Sequence, residues 1–132
     1  MTKGKTEYET DVYTIRILAP QIFENFVKDK AIIDVDGVRA VKKANMELAN
    51  GKPYAFLAAI GEFSEVTKAA KTLLSSKELS VNTVAKALLI QSLSDRIMVN
   101  FYMKINKPIV KTKAFTDRKL AIEWLKKQVN TK

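Results

Sequence analysis

The sequence predicts one α/β domain built on an open mixed sheet that starts with a β-hairpin and carries about four helices, in the order ββαβαβαβα. Three observations carry that expectation. Residues 54–60 and 84–90 are nearly continuous apolar runs of strand length, as central strands covered on both faces require. Helix-period stretches separate the strands, which implies a sheet largely parallel after its opening and joined by right-handed crossovers. The 132 residues suit a single core, and no repeat, low-complexity tract or long linker divides them. The domain is therefore assigned to residues 1–132, with residues 1–8 and 130–132 expected to fray.

Each element follows from its own pattern. Tyr13, Ile15 and Ile17 alternate with Thr14 and Arg16, the period of a half-buried strand, and Pro20-Gln21 turns the chain into a second strand over residues 22–27. Asp34 or Asp36 then caps a helix whose inner face is Val38, Val41, Ala44 and Leu48, and Asn50-Gly51-Lys52-Pro53 stops it. After the apolar strand at 54–60, Val66, Ala69, Ala70, Leu73 and Leu74 recur at helical spacing. Residues 84–90 and 109–115 read as strands, the two apolar runs at 54–60 and 84–90 as neighbours. A closing helix begins at Thr116 or Asp117, its apolar stripe formed by Leu120, Ala121, Trp124, Leu125 and Val129.

Composition excludes much chemistry. With no cysteine and no histidine, the chain has no disulfide, thiol nucleophile, thiolate or imidazole zinc site, or imidazole acid–base group. The remaining routes need a carboxylate pair, a Ser-Lys arrangement or a carboxylate-bound metal, and none leaves a specific spacing here. No turnover on esters, phosphates or glycosides is expected, and no cofactor or metal. Neither a bilayer-spanning run nor the apolar stretch of a secretory signal occurs, so a cytoplasmic location is the default.

The net charge of +9 is unevenly placed. Residues 1–65 hold nine Lys/Arg against ten Asp/Glu, and residues 66–132 hold fourteen against four. A basic second half suits an acidic protein partner, an anionic membrane surface or nucleic acid, while a solvated lysine-rich face gives the same count. Specific nucleic-acid binding is not expected, because no helix-turn-helix, RNP or zinc signature is present.

One segment departs from the ordinary pattern. In a helix expected from Ser94 to about Asn106, seven of the nine residues from 97 to 105 are apolar: Ile97, Met98, Val99, Phe101, Tyr102, Met103 and Ile105. A helix resting on a sheet needs an apolar arc only a little over about 100° wide. Arg96, Asn100 and Lys104 form a narrow polar ridge, with Lys107 one turn on. Either several neighbours bury this helix, or Phe101, Tyr102 and Met103 face a second copy of the chain, a protein partner or a hydrophobic ligand. Just before it, Gln91-Ser92-Leu93-Ser94-Asp95 follows a strand's carboxyl end, where open α/β sheets hold ligands; Ser94 as a helix cap is the simpler reading.

A resemblance rests on the same region. Ala87-Leu88-Leu89-Ile90, Ser92 with Arg96, the run from Asn100-Phe101-Tyr102-Met103-Lys104-Ile105 to Asn106-Lys107-Pro108, Phe115-Thr116, and Ala121-Ile122-Glu123-Trp124-Leu125 resemble the small bacterial STAS-like proteins. These are stand-alone relatives of anti-sigma-factor antagonists, also grouped as STAS/SEC14-like. The likeness is close over residues 84–128 and one of layout over 11–83. It implies a single STAS-like domain without enzymatic activity, acting by docking to protein partners; some relatives are thought to hold hydrophobic ligands at a membrane surface. Regulated STAS domains carry an Asp-Ser phosphorylation motif at a helix start. Here that stretch holds Ser64 and Thr67 without the motif, so phosphorylation is not expected and Ser64 is the weak candidate.

Together these readings predict a non-enzymatic protein-interaction or regulatory domain. The alternative is a peripheral carrier or sensor of a lipid-like ligand at an anionic membrane. The candidate binding residues are Ser92, Ser94, Arg96, Asn100, Phe101, Tyr102, Met103, Lys104 and Lys107, and the partner is a protein, a second copy, a hydrophobic ligand or a membrane surface.

Overall fold

The computed structural model describes residues 7–130. Its central sheet has six strands: β1 (Glu7–Glu9), β2 (Tyr13–Ala19), β3 (Ile22–Val27), β5 (Tyr54–Ile60), β7 (Thr83–Leu89) and β8 (Lys111–Phe115), side by side in that order. β1, β2 and β3 pair antiparallel, and β3, β5, β7 and β8 run parallel. The two longest apolar runs do become neighbours, with Ala55 opposite Ala85 and Leu57 opposite Ala87. A second ladder of two residues per strand, β4 (Ile32–Ile33) with β6 (Glu65–Val66), ties down the loops that leave β3 and β5.

Helices cover both faces. On one lies α5 (Arg118–Asn130), whose Ala121 and Leu125 pack on Ala55, Leu57, Ala59, Ala85, Ala87 and Leu89. Small residues on the strands let the helix approach closely and bury these side chains almost completely. At the head of α5, Arg118 grips the buried carboxylate of Glu24 on β3 through two hydrogen bonds of 2.6 and 2.9 Å. Those bonds hold the Glu24 carboxyl below its usual titration range. On the other face lie α1 (Val35–Leu48), α2 (Lys68–Leu74), α3 (Lys77–Ser80) and α4 (Leu93–Phe101), the last continued by a π-helical turn at Tyr102–Asn106.

Local chemistry sets the element ends. Asp34, not Asp36, caps α1 by accepting from the Gly37 amide at 2.9 Å, and Thr67 caps α2 through the Ala70 amide. α1 stops where Asn50 and Gly51 both take positive φ. Gly61 is required for a different reason: a Cβ there would lie 2.6 Å from the Asp29 backbone nitrogen. That close approach seats the Asp29 carboxylate on the Glu62 amide at 2.9 Å.

Several sequence expectations need correction. Residues 7 and 8, expected to fray, pair with β2, and Asn130 closes α5; the remainder of both expected frayed ends lies outside the described residues. The helix expected from Ser94 starts at Leu93, is capped by Ser92 through the Asp95 amide at 3.0 Å, and changes to π geometry at Tyr102. The last strand begins at Lys111 rather than 109. The short β1, β4, β6 and α3 are additions, each too brief to show a period.

Candidate functional site

The apolar excess of the fourth helix divides in two. Val99 and Tyr102 turn inward and are buried, and Met98 and Met103 are half-buried. Leu93, Ile97, Phe101 and Ile105 remain 73%, 62%, 55% and 58% exposed. These four are spaced every four residues, so they form a stripe along the helix. In an α-helix each such step drifts by about 40°; the wider π turn rotates the last step the opposite way and carries Ile105 back toward Phe101. Arg96, Asn100, Lys104 and Lys107 are exposed beside the stripe as the sequence ridge requires, and Lys71 of α2 lies over the Phe101 ring at 6.0 Å. Phe63, 83% exposed, adds an apolar tip from the β5–β6 loop.

The inward members close over a cavity. Between the sheet and α1, α2 and α4 lie two abutting apolar compartments of about 120 and 110 Å3. Phe56, Ala58, Ile60, Leu74 and Lys86 line both, while Met98, Val99 and Tyr102 close the smaller one. Two larger and more polar depressions, both lined by Ser64, Ser94 and Met98, adjoin it between the β5–β6 loop and α4.

Two lysines stand in this apolar space. Lys86, on β7 and 4% exposed, donates to the Tyr102 hydroxyl at 2.6 Å and to the Leu74 carbonyl at 3.2 Å. Lys42, on α1, donates to the Tyr54 hydroxyl at 3.0 Å, to the carbonyls of Leu79 and Val81, and to the Thr83 hydroxyl at 2.9 Å. Among the described residues neither has a carboxylate within salt-bridge distance. Burial drives the Lys86 ammonium down to about 8, helped by the charge of Lys42, and burial alone lowers Lys42 to about 8. Tyr102 shifts the other way, its phenol raised by burial. The larger compartment also holds the side-chain oxygens of Asn25 and Asn45, buried and without a hydrogen-bond partner. Buried polar atoms in an apolar pocket normally find partners, so this set is chemically unsatisfied.

The candidate residues thus separate by role. Ser92 is the helix cap, and Ser94 is exposed at the rim. Phe101 belongs to the exposed stripe, but Tyr102 does not, because it is buried and its hydroxyl accepts from Lys86 inside the protein. Met103 is half-buried. Ser64 donates to the Gly61 carbonyl at 2.7 Å, and Thr67 is committed to its cap. Sequence reasoning missed Leu93 and Lys86. A lysine in the middle of an otherwise apolar run assigned to a doubly covered strand was the available signal for the second.

A mixed sheet opened by antiparallel strands, continued by parallel ones and covered by α5 on one face and α1–α4 on the other, is the SpoIIAA-like, that is STAS-like, fold. The chain is similar to the crystal structure of an uncharacterized protein from the DUF3478 family with a SpoIIAA-like fold from Shewanella loihica PV-4, with a TM-score of 0.57 at 14% identity, over 89% of this chain and 98% of that one. Residues 17–129 match the family described as Domain of unknown function (DUF7793), and the chain belongs to that family. No curated protein matches it in sequence. Among the described residues no helix is long and apolar enough to cross a membrane.

Proposed function

We propose that this domain is a non-enzymatic regulatory module that acts by docking a protein partner against the fourth helix. The carrying observation is the stripe of Leu93, Ile97, Phe101 and Ile105, four large apolar side chains left more than half exposed on one helix. Isolated exposed apolar residues need no explanation, whereas a contiguous row rimmed by charge marks an interaction surface. The rim here is cationic through Lys71, Arg96, Lys104 and Lys107, so the complementary partner presents an apolar groove bordered by carboxylates. The STAS-like fold supports this reading, being one whose members act through partners.

A photo-crosslinking residue at Ile97, with another at the exposed Leu120 of α5 as control, tests it. The expected result is one adduct protein specific to position 97, whose purified form binds about tenfold more weakly to Ile97→Glu and loses affinity with added salt. Adducts only to lipid, or only to a second copy of the chain, contradict the proposal and favour a membrane surface or a homodimer.

A further inference from the structure

We propose that the smaller compartment, bounded by β5, β7, α2 and α4, is a binding site for a small apolar carboxylate, held by the Lys86 ammonium and the Tyr102 hydroxyl. The inference is independent of the docking stripe, which lies on the opposite side of the helix.

The donor count leads to it. A lysine ammonium has three N–H donors, and Lys86 uses two, on Leu74 and Tyr102. Tyr102 accepts from Lys86 and keeps its own proton to give, with no acceptor for it among the described residues. One N–H and one O–H, 2.6 Å apart at their heavy atoms, are therefore available on the same wall. A carboxylate takes one donor on each oxygen and supplies the counter-charge that Lys86 lacks within salt-bridge distance. Apart from Lys71 and Asp95 at its margins, the remaining lining is apolar, with Phe56, Ala58, Leu88, Met98 and Val99 foremost.

Charge placement fixes the orientation. Asp95 lines the same compartment at the start of α4, where its carboxylate accepts from the Gln91 amide at 2.9 Å. It repels an anion at that end, so the ligand carboxylate points toward Lys86 and the apolar body toward Met98. The other titratable groups around Lys86 are Lys71 and Tyr102 here and Tyr13, Lys42 and Tyr54 in the neighbouring compartment. None of these brings a negative charge at neutral pH.

Size limits the ligand. An apolar cavity of about 150 Å3 takes a benzene ring, and the compartment measures about 110 Å3 with a second of about 120 Å3 beside it. With its body toward Met98 a ligand occupies the smaller compartment, which is below the size a ring needs, so a short unbranched acid suits it better than a ring acid.

The test is an NMR titration of the full chain with hexanoate, with hexan-1-ol as the uncharged probe of matched length. At about pH 6 hexanoate binds roughly tenfold more tightly than the alcohol, and at about pH 10 the preference collapses, since Lys86 has lost its proton while Tyr102 has kept its own. Lys86→Met removes the preference at pH 6 but leaves the alcohol binding, Tyr102→Phe weakens hexanoate alone, and Ala58→Phe fills the space and abolishes both. Equal binding of acid and alcohol, no saturable shift with either, or a hexanoate preference that survives Lys86→Met would overturn the proposal. Labelling of Ile97 by a protein partner is unaffected by any of these results, so the two readings fail separately.

Discussion

On the face covered by α5 the inner strands present Ala55, Leu57, Ala59, Ala85, Ala87 and Leu89, whereas on the face covered by α1, α2 and α4 the same strands present Phe56, Ala58, Ile60, Lys86 and Leu88. Neighbouring residues of β5 and β7 thus enter two different environments, because successive side chains of a strand point to opposite sides. The first face is paved with small residues that one helix covers closely, and the buried charged group described there, Glu24, is paired with Arg118. The second mixes large and small side chains under several helices, leaves two compartments, and holds Lys42 and Lys86 with no carboxylate in salt-bridge reach among the described residues. Close packing and satisfied charge maximise stability. Voids and unpaired ammonium groups sacrifice some of it, which is the pattern of a binding site.

That contrast can be broken from either side. The largest effect is expected on the α5 face: Leu125→Ala removes a fully buried side chain from a face that cannot collapse around the gap, and should cost about 2–5 kcal/mol in chemical denaturation. If it costs under about 1 kcal/mol, the faces do not differ as described. Arg118→Ala leaves the Glu24 carboxylate buried with only Arg16 nearby, at 3.8 Å, and should cost about 1–3 kcal/mol. The loss should shrink as pH falls through the depressed Glu24 pKa, because a protonated Glu24 no longer needs the guanidinium. A pH-independent loss would assign Arg118 a packing role instead. The smallest effect belongs to the exposed stripe, where Phe101→Ser should change stability by no more than about 0.5 kcal/mol, measured by the same denaturation.

Legibility in the sequence followed element length and burial. The β2–β3 hairpin, α1, β5, β7 and α5 were readable because each is long enough to show a period, and β5 and β7 are apolar apart from Thr83 and Lys86. β1, Glu7–Glu9, is too short and polar to stand out, and the β4–β6 ladder exists only because tertiary structure brings two residue pairs together. The wide apolar arc of α4 was visible, but its division was not. The π turn has no compositional signature, and the inner-face spacing of Asp95, Val99 and Tyr102 was masked by the apolar residues on either side. Lys86 itself was hidden by treating a strand-length apolar run as uniform.

The most direct measurement is the thermal midpoint of Lys86→Met beside the unaltered chain at pH 7 and pH 10. Below about pH 8 Lys86 is charged in both folded and unfolded states, and folding bears the whole cost of burying that charge. Between about pH 8 and its ordinary value of 10.5 the unfolded state binds more protons than the folded one, so the stability of the unaltered chain rises with pH and the cost fades. Methionine fills nearly the same volume without the charge. The account predicts a variant more stable at pH 7 by on the order of 2–3 kcal/mol, a midpoint roughly 5–10 °C higher, with most of the gain gone at pH 10. A variant that melts lower than the unaltered chain at pH 7 would show that Lys86 is there to hold the fold together, and would contradict the reading of this face as a site.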